Sequence, residues 1–298
     1  MPERKLIKTS YEKLKKNVNR HGFGEESHLL IEDLFNASVA ILAICERTVL
    51  ISKVKHKSYF SFVLGGEKSR PINTELYYLE PTTAFGIFRD ILRGKRHAHE
   101  SSRITQAIYI VAITCCASID VTKKSDRKTQ GTIFEWLCAS LMQSILDVRP
   151  ARSIEVMNLD LRFGLPTDFI FDLGAEKPKF HLPVKTSTRE RIIQVWAHQR
   201  VLDGVYGVGR FLAIPMILTE TKLDLKKLEV TEICLPFQWR LYQMHISNLW
   251  NVCYFDAPEA YLDLDSVFPP VGVLTIGDFL MKGGRLDQLL EKHDLVKA

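Results

Sequence analysis

The chain has 298 residues, 46% of them hydrophobic and 25% charged, with a formal net charge of +5. That balance describes a globular protein with room for one large domain or two small ones, and the mild positive charge permits a nucleic-acid partner without requiring one. Its six cysteines (Cys45, Cys115, Cys116, Cys138, Cys234 and Cys253) form no C-x-x-C pair, and no histidine stands at zinc-finger spacing. They are expected to be reduced thiols of a cytoplasmic protein, not a disulfide framework or a zinc site.

The opening "MPERKLIKTSYEK" has no apolar h-region, so no secretory signal is expected. From about Tyr11 to Val54 the three- and four-residue apolar spacing of "SHLLIEDLFNASVAILAICERTVL" predicts helix, with Ser27 as a cap. After a loop around "GGEKSRP", "PTTAFGIFRDILRG" predicts a short amphipathic helix ended by Gly94. The basic cluster "RGKRHAHESSR" follows. It reads either as a solvated loop or, through Arg93, Lys95 and Arg96, as a set of contacts to a DNA backbone. "AIYIVAITCCASI" is too short to cross a bilayer and predicts a buried helix.

"QGTIFEWLCASLMQSIL" predicts another helix, with Phe134, Leu137, Cys138, Leu141 and Ile145 on one face and Glu135 to its side. Then the period changes. "SIEVMNLDLRFG", "DFIFDLG" and "FHLPVKTS" are β-branched or aromatic-rich, are bounded by Gly and Pro, and predict three strands. A helix is expected from near Thr188 to about Leu202, ended by Gly204. Ile192, Val195, Trp196 and Leu202 would face the core, and Glu190, Gln194 and His198 would form a polar stripe. The expected architecture is α/β, with a mainly helical N-terminal region over 1–105 for dimerisation or backbone grip. Residues 106–298 would form the core, a central mixed sheet flanked by helices, and a C-terminal extension.

Asp168 and Lys185 stand seventeen positions apart, enough for a strand, a tight turn and a returning strand. A hairpin of that length brings both side chains to one end of a sheet. Such a pair is either a surface ion pair or the core of a metal-assisted phosphodiester hydrolase, in which the carboxylate holds Mg²⁺ and the lysine offsets phosphate charge.

Together these segments resemble the PD-(D/E)xK nucleases, and within them the type II restriction endonucleases. "GTIFEWLCASLM" is similar to the helix carrying that family's leading glutamate, "LPTDFIFD" to its metal-binding strand and "HLPVKTS" to its lysine strand. The resemblance covers about residues 131–204. It implies catalytic Asp168, Lys185 and Glu135, with Mg²⁺ on Asp168 and Glu135. The family strand carries an acid two positions before the lysine, where this chain has Pro183. Glu135 is the stronger substitute; Asp172, four positions along the strand on the same side, is a second.

"K-T-S-T-R-E-R" also resembles a subgroup cutting CCGG-type sites, including versions with bases inserted between CC and GG. That subgroup has an Arg-(Asp/Glu)-Arg triplet beyond the lysine and moves its second carboxylate onto the following helix. About that relocated position this chain has His198 and Gln199, which leaves His198 a less favoured metal ligand. Arg189, Glu190 and Arg191 at a helix tip suit consecutive G·C pairs, because arginine pairs bidentately with guanine and glutamate accepts from cytosine N4. Ser187-x-x-Glu190 equally fits a capping box. The resemblance implies a homodimer on double-stranded DNA at a G/C-rich palindrome, and a cognate methyltransferase acting on the same site without needing to bind the nuclease. Two alternatives stay open: a non-catalytic DNA-binding protein on a degenerate nuclease fold, and a structure-specific repair or recombination nuclease.

Overall fold

The structure, a computed structural model, describes residues 2–123, 126, 128–158 and 161–281. Two helices open the chain, α1 (Pro2–His21) and α2 (Glu25–Ala43). Ser27 closes the start of α2 by bonding back to Gly24, accepting from its amide and donating to its carbonyl, each at 2.7 Å. The expected helix to Val54 stops short. "ERTVLIS" forms strand β1 (Glu46–Ser52), because its β-branched residues pair with β2 (Tyr59–Leu64) in an antiparallel ladder. Short strands β3 (Glu67–Lys68) and β4 (Ile72–Asn73) follow, then α3 (Pro81–Leu92). Proline starts α3 at its first turn, and Gly94 ends it at φ +77°, a conformation that favours glycine.

α4 (Ser101–Thr122) and α5 (Thr129–Leu146) are the central helices. α4 runs well beyond the apolar stretch that predicts it. By length and composition it could cross a membrane, yet 89% of its apolar window is buried inside the protein. It is apolar nearly all round because α2, α3, α5 and α9 (Ile276–Met281) pack about it.

The predicted strands assemble as a second sheet. β5 (Ala151–Asn158) and β6 (Leu161–Phe171) form one hairpin, and β6 pairs antiparallel with β7 (Lys179–Leu182). Pro183 interrupts that third strand, so β8 (Val184–Lys185) continues it. After α6 (Ile193–Tyr206), Pro215 divides β9 (Phe211–Ala213) from β10 (Met216–Ile217) in the same way. Neither proline breaks the parallel ladder. The amide of Met216 donates to the Pro183 carbonyl at 2.8 Å and that of Cys253 to the Pro215 carbonyl at 2.9 Å, since proline loses only its donor. β13 (Val252–Tyr254) and β14 (Val273–Thr275) extend the sheet in parallel.

Period-two alternation then buries both faces. Phe169, Phe171, Leu182, Met216 and Cys253 face the large cluster with α4 and α5, while Ala213, Ile217 and Tyr254 face Trp196 on α6 and Trp239 on α7 (Pro236–His245). This mixed sheet between helices is the expected core.

The expected boundary between the two regions lies at residue 105. It falls inside α4, and the N-terminal region contains strands as well as helices. Moreover, the hairpin of β11 (Thr221–Asp224) and β12 (Glu229–Glu232), which leaves β10, completes the N-terminal sheet by pairing β12 with β1. Lys57, before β2, donates to Glu232 at 2.7 Å, Asp256 at 2.9 Å and the Ala257 carbonyl at 2.8 Å, bolting that sheet to the end of β13.

Candidate active site

Asp168 and Lys185 meet at one end of the central sheet. The antiparallel register pairs Phe169 with Leu182, so the next step places Asp168 opposite Pro183. Proline has no N–H to offer there. The Asp168 carboxylate instead accepts from the Val184 amide at 2.7 Å and from Lys185 Nζ at 2.6 Å, both on Oδ2. The pair is accessible, with the aspartate side chain 22% and the lysine 38% exposed, so a phosphate can approach.

Glu135 reaches this end of the sheet from α5, which packs against β6 and β8. Burial raises its carboxyl above the ordinary range and the charge of Asp168 raises it further, while Lys185 and Arg152 oppose both. Two carboxylates, Glu135 and Asp168, thus lie within electrostatic reach of one another, with Lys185 and Arg152 as the cations beside them.

The structure does not bring Asp172 to them. It shares the face of Asp168, but four strand residues separate the two by about 13 Å. Asp172 instead closes the hairpin turn, paired with Lys179 and accepting from the Gly174 amide at 3.0 Å. Burial raises its carboxyl, but the Lys179 and Gly174 hydrogen bonds and the Lys179 charge together outweigh it and hold the group below the usual range.

His198 lies on α6, half-buried, within reach of the charges of Lys185 and Asp168, and burial first and Lys185 second lower its pKa. Its ring stands 6.2 Å from that of His181, a wholly buried side chain whose pKa burial drives down to about 3. His181 is therefore neutral, and neither of its ring nitrogens has a hydrogen-bond partner.

The triplet forms a single 3₁₀ turn, Arg189–Ile192, leading into α6, so the helix expected from Thr188 starts tighter than α-helical geometry. Ile192, Val195, Trp196 and Leu202 are buried as expected. Arg191 and Gln194 are exposed, Arg189 is half-buried, and the side chain of Glu190 lies outside the described residues. The expected capping box is replaced on its serine side. Ser187 Oγ donates to Glu220 at 3.3 Å, and the same buried carboxylate accepts the amides of Thr188 and Arg189. Glu220 is a residue that sequence reasoning misses. Its one signal is an acid closing the apolar run "IPMILTE".

Arg93 and Lys95 are exposed between α3 and α4, and Arg96 is half-buried there at the start of a short 3₁₀ turn. All six cysteines are free thiols.

Among the described residues no three His, Cys, Asp or Glu side chains converge to cage a metal ion. Mg²⁺ needs no such cage, since it keeps several waters and takes one or two carboxylates together with phosphate oxygens. Asp168 and Glu135 supply that hard-oxygen set, so the residues present fit Mg²⁺.

No protein-family model and no curated protein matches the chain. Among solved structures, it superposes on the type IIP restriction endonuclease Kpn2I with a TM-score of 0.79 at 24% identity, over 95% of this chain and 97% of that one. A second match, the restriction endonuclease PspGI in complex with substrate DNA, has a TM-score of 0.44 at 12% identity, over 72% and 97% of the two chains. The fold of this chain is that of Kpn2I.

Proposed function

We propose that this protein is a Mg²⁺-dependent type II restriction endonuclease that hydrolyses double-stranded DNA at a G/C-rich palindrome with CC/GG half-sites. The observation that carries the reading is the 2.6 Å contact of Lys185 with Asp168 at the sheet end, with Glu135 beside them. The triplet begins only four residues beyond that lysine, which puts a reading surface next to a cutting one.

Asp168 and Glu135 would hold the Mg²⁺, which supplies Lewis acidity to the phosphate. The Val184 amide fixes one oxygen of Asp168 and so orients the carboxylate. Lys185 offsets charge on the phosphate as it reacts and directs a water toward phosphorus. One P–O bond forms to that water, which loses a proton to solvent, and the P–O bond to the sugar breaks, with the leaving sugar oxygen taking a proton from solvent. Arg189, Glu190 and Arg191 read G·C pairs. Arg93, Lys95 and Arg96 hold the backbone, so their loss would weaken binding at all sequences alike.

A homodimer matches the two-fold symmetry of a palindrome. A cytoplasmic location and a methyltransferase protecting the same site belong to the same reading. The test is incubation of plasmid DNA with and without Mg²⁺, using the wild type, Asp168→Ala and Lys185→Ala. Discrete fragments from the wild type alone, with both variants still binding DNA, are expected. Full cleavage by either variant refutes the site, and binding without cutting by the wild type selects a non-catalytic DNA-binding protein.

A further inference from the structure

Glu220 is fully buried just beyond β10, the strand beside the one that carries Lys185. Five donors converge on its carboxylate. The Thr188 amide lies 3.2 and 3.1 Å from its two oxygens, the Arg189 amide 3.2 Å, Ser187 Oγ 3.3 Å and the Tyr254 hydroxyl 3.0 Å, and the Thr188 hydroxyl donates as well. Among the described residues no cation forms an ion pair with it. A charge buried on donors alone is costly to keep, and those donors satisfy it only in one arrangement.

What they arrange is the start of the triplet. Arg189 stands at φ +47°, a left-handed conformation that a side chain with a Cβ disfavours. Its amide is one of those held by Glu220, and the Nε of its guanidinium is buried without a hydrogen-bond partner. The same strand fixes the lysine end. The Leu218 amide donates to the Lys185 carbonyl at 3.1 Å and the Thr219 amide to the Thr186 carbonyl at 3.3 Å. One run of chain, 218–220, therefore grips the segment from Lys185 to Arg189 at successive points, through the amides of Leu218 and Thr219 and the side chain of Glu220.

We infer that Glu220 is a positioning residue for sequence selectivity: its buried carboxylate sets the Arg189–Arg191 turn in a fixed place relative to Lys185. This rests on the endonuclease reading proposed above. Glu220 touches neither DNA nor the reacting phosphate; it acts through the backbone of the turn. An amide in its place would turn an N–H₂ toward groups that are themselves donors, leave a buried donor unpaired, and let the turn drift while Asp168 and Lys185 stay paired.

The experiment digests a mixed DNA substrate with wild type and Glu220→Gln in Mg²⁺ and sequences the ends produced, with a thermal melt of each preparation. Losing the alignment of one bidentate base contact is worth about tenfold or more in discrimination. The share of cuts departing from the wild-type consensus should therefore rise at least that much in Glu220→Gln, while total scission falls by less. Thr188→Val removes a single hydroxyl contact and should relax selectivity in the same direction by less, at a melting temperature nearer that of the wild type.

A purely structural role would lower the melting temperature and leave the consensus unchanged, and that result from Glu220→Gln overturns the inference. Should Glu220→Gln not fold, an unchanged consensus in Thr188→Val overturns it instead. Absence of discrete ends from the wild type would refute the endonuclease reading and this inference together. Discrete wild-type ends with an unaltered variant consensus would refute this inference alone.

Discussion

On the proposed endonuclease reading, Glu135 and Asp172 are two ways of replacing the acid absent at Pro183. Both are near Asp168 in sequence terms, one by motif order and one by strand parity. Parity says only which side of a sheet a residue faces; the 3.3 Å rise per residue puts Asp172 at the far end of the hairpin. Glu135→Gln should therefore lower cleavage by orders of magnitude and Asp172→Asn much less, as measured by initial rates on plasmid DNA. The opposite order would place the cation along the strand.

The same residue sets a stability prediction. Burial and Asp168 raise the Glu135 carboxyl, so the folded protein holds that proton more tightly than the unfolded chain does. Its stabilising contribution is thus full below the unfolded pKa, near 4.3, and is lost as pH rises through the raised folded value. At pH 8, in EDTA, Glu135→Gln should melt above the wild type, with the difference closing toward pH 4. A lower melting temperature for Glu135→Gln at pH 8 would contradict this. For the triplet, Arg189→Ala or Arg191→Ala should cost roughly 1–3 kcal/mol at the cognate duplex and little at G·C-altered duplexes. Competition titrations in Ca²⁺ measure it, and equal losses on both duplexes would make the arginines phosphate contacts.

At the scale of elements, helices and strands were legible where one period ran long enough. α3, α5 and the buried side of α6 follow from apolar spacing alone. The end of the first helical region was not legible: "ERTVLIS" fits a helical stripe by hydrophobicity, and only its pairing with β2 and β12 makes it a strand. Pro183 reads in sequence as a defect in a catalytic motif. In the sheet it marks the point where the β6 ladder hands over to the Asp168 side chain, which no spacing rule conveys.

Contacts between distant elements were equally hidden. A Cβ on Gly277 would lie 1.8 Å from the Ser101 carbonyl oxygen and 2.5 Å from Thr105 Oγ1, because α9 abuts the start of α4. Gly277→Ala should destabilise the protein by about 1–3 kcal/mol or more in urea unfolding, since backbone at this distance cannot yield cheaply. A shift within 0.5 kcal/mol would mean that the two helices part easily.

Over the whole molecule, the sequence shows helices leading and strands following, which suggests an N-terminal region separable from the core. Two long-range links were invisible to it: residues 221–232 completing a sheet begun at residue 46, and half-buried Lys57 paired with Glu232 and Asp256. The core around α4 likewise draws on α1, α2, α3, α5 and α9 as one cluster. Residues 106–298 expressed alone should therefore fail to fold, lacking native circular dichroism and a cooperative melt; a cooperative transition would restore the two-part description.

The recognition chemistry and the cutting chemistry meet in a single experiment, sequencing of the DNA ends released by the wild-type protein in Mg²⁺. The expected result is one recurring pair of ends that rejoin to a palindrome with adjacent C·G pairs in each half, lost in EDTA and in Lys185→Ala. Ends of random sequence, ends at branched or damaged structures only, or cutting that survives Lys185→Ala would contradict it.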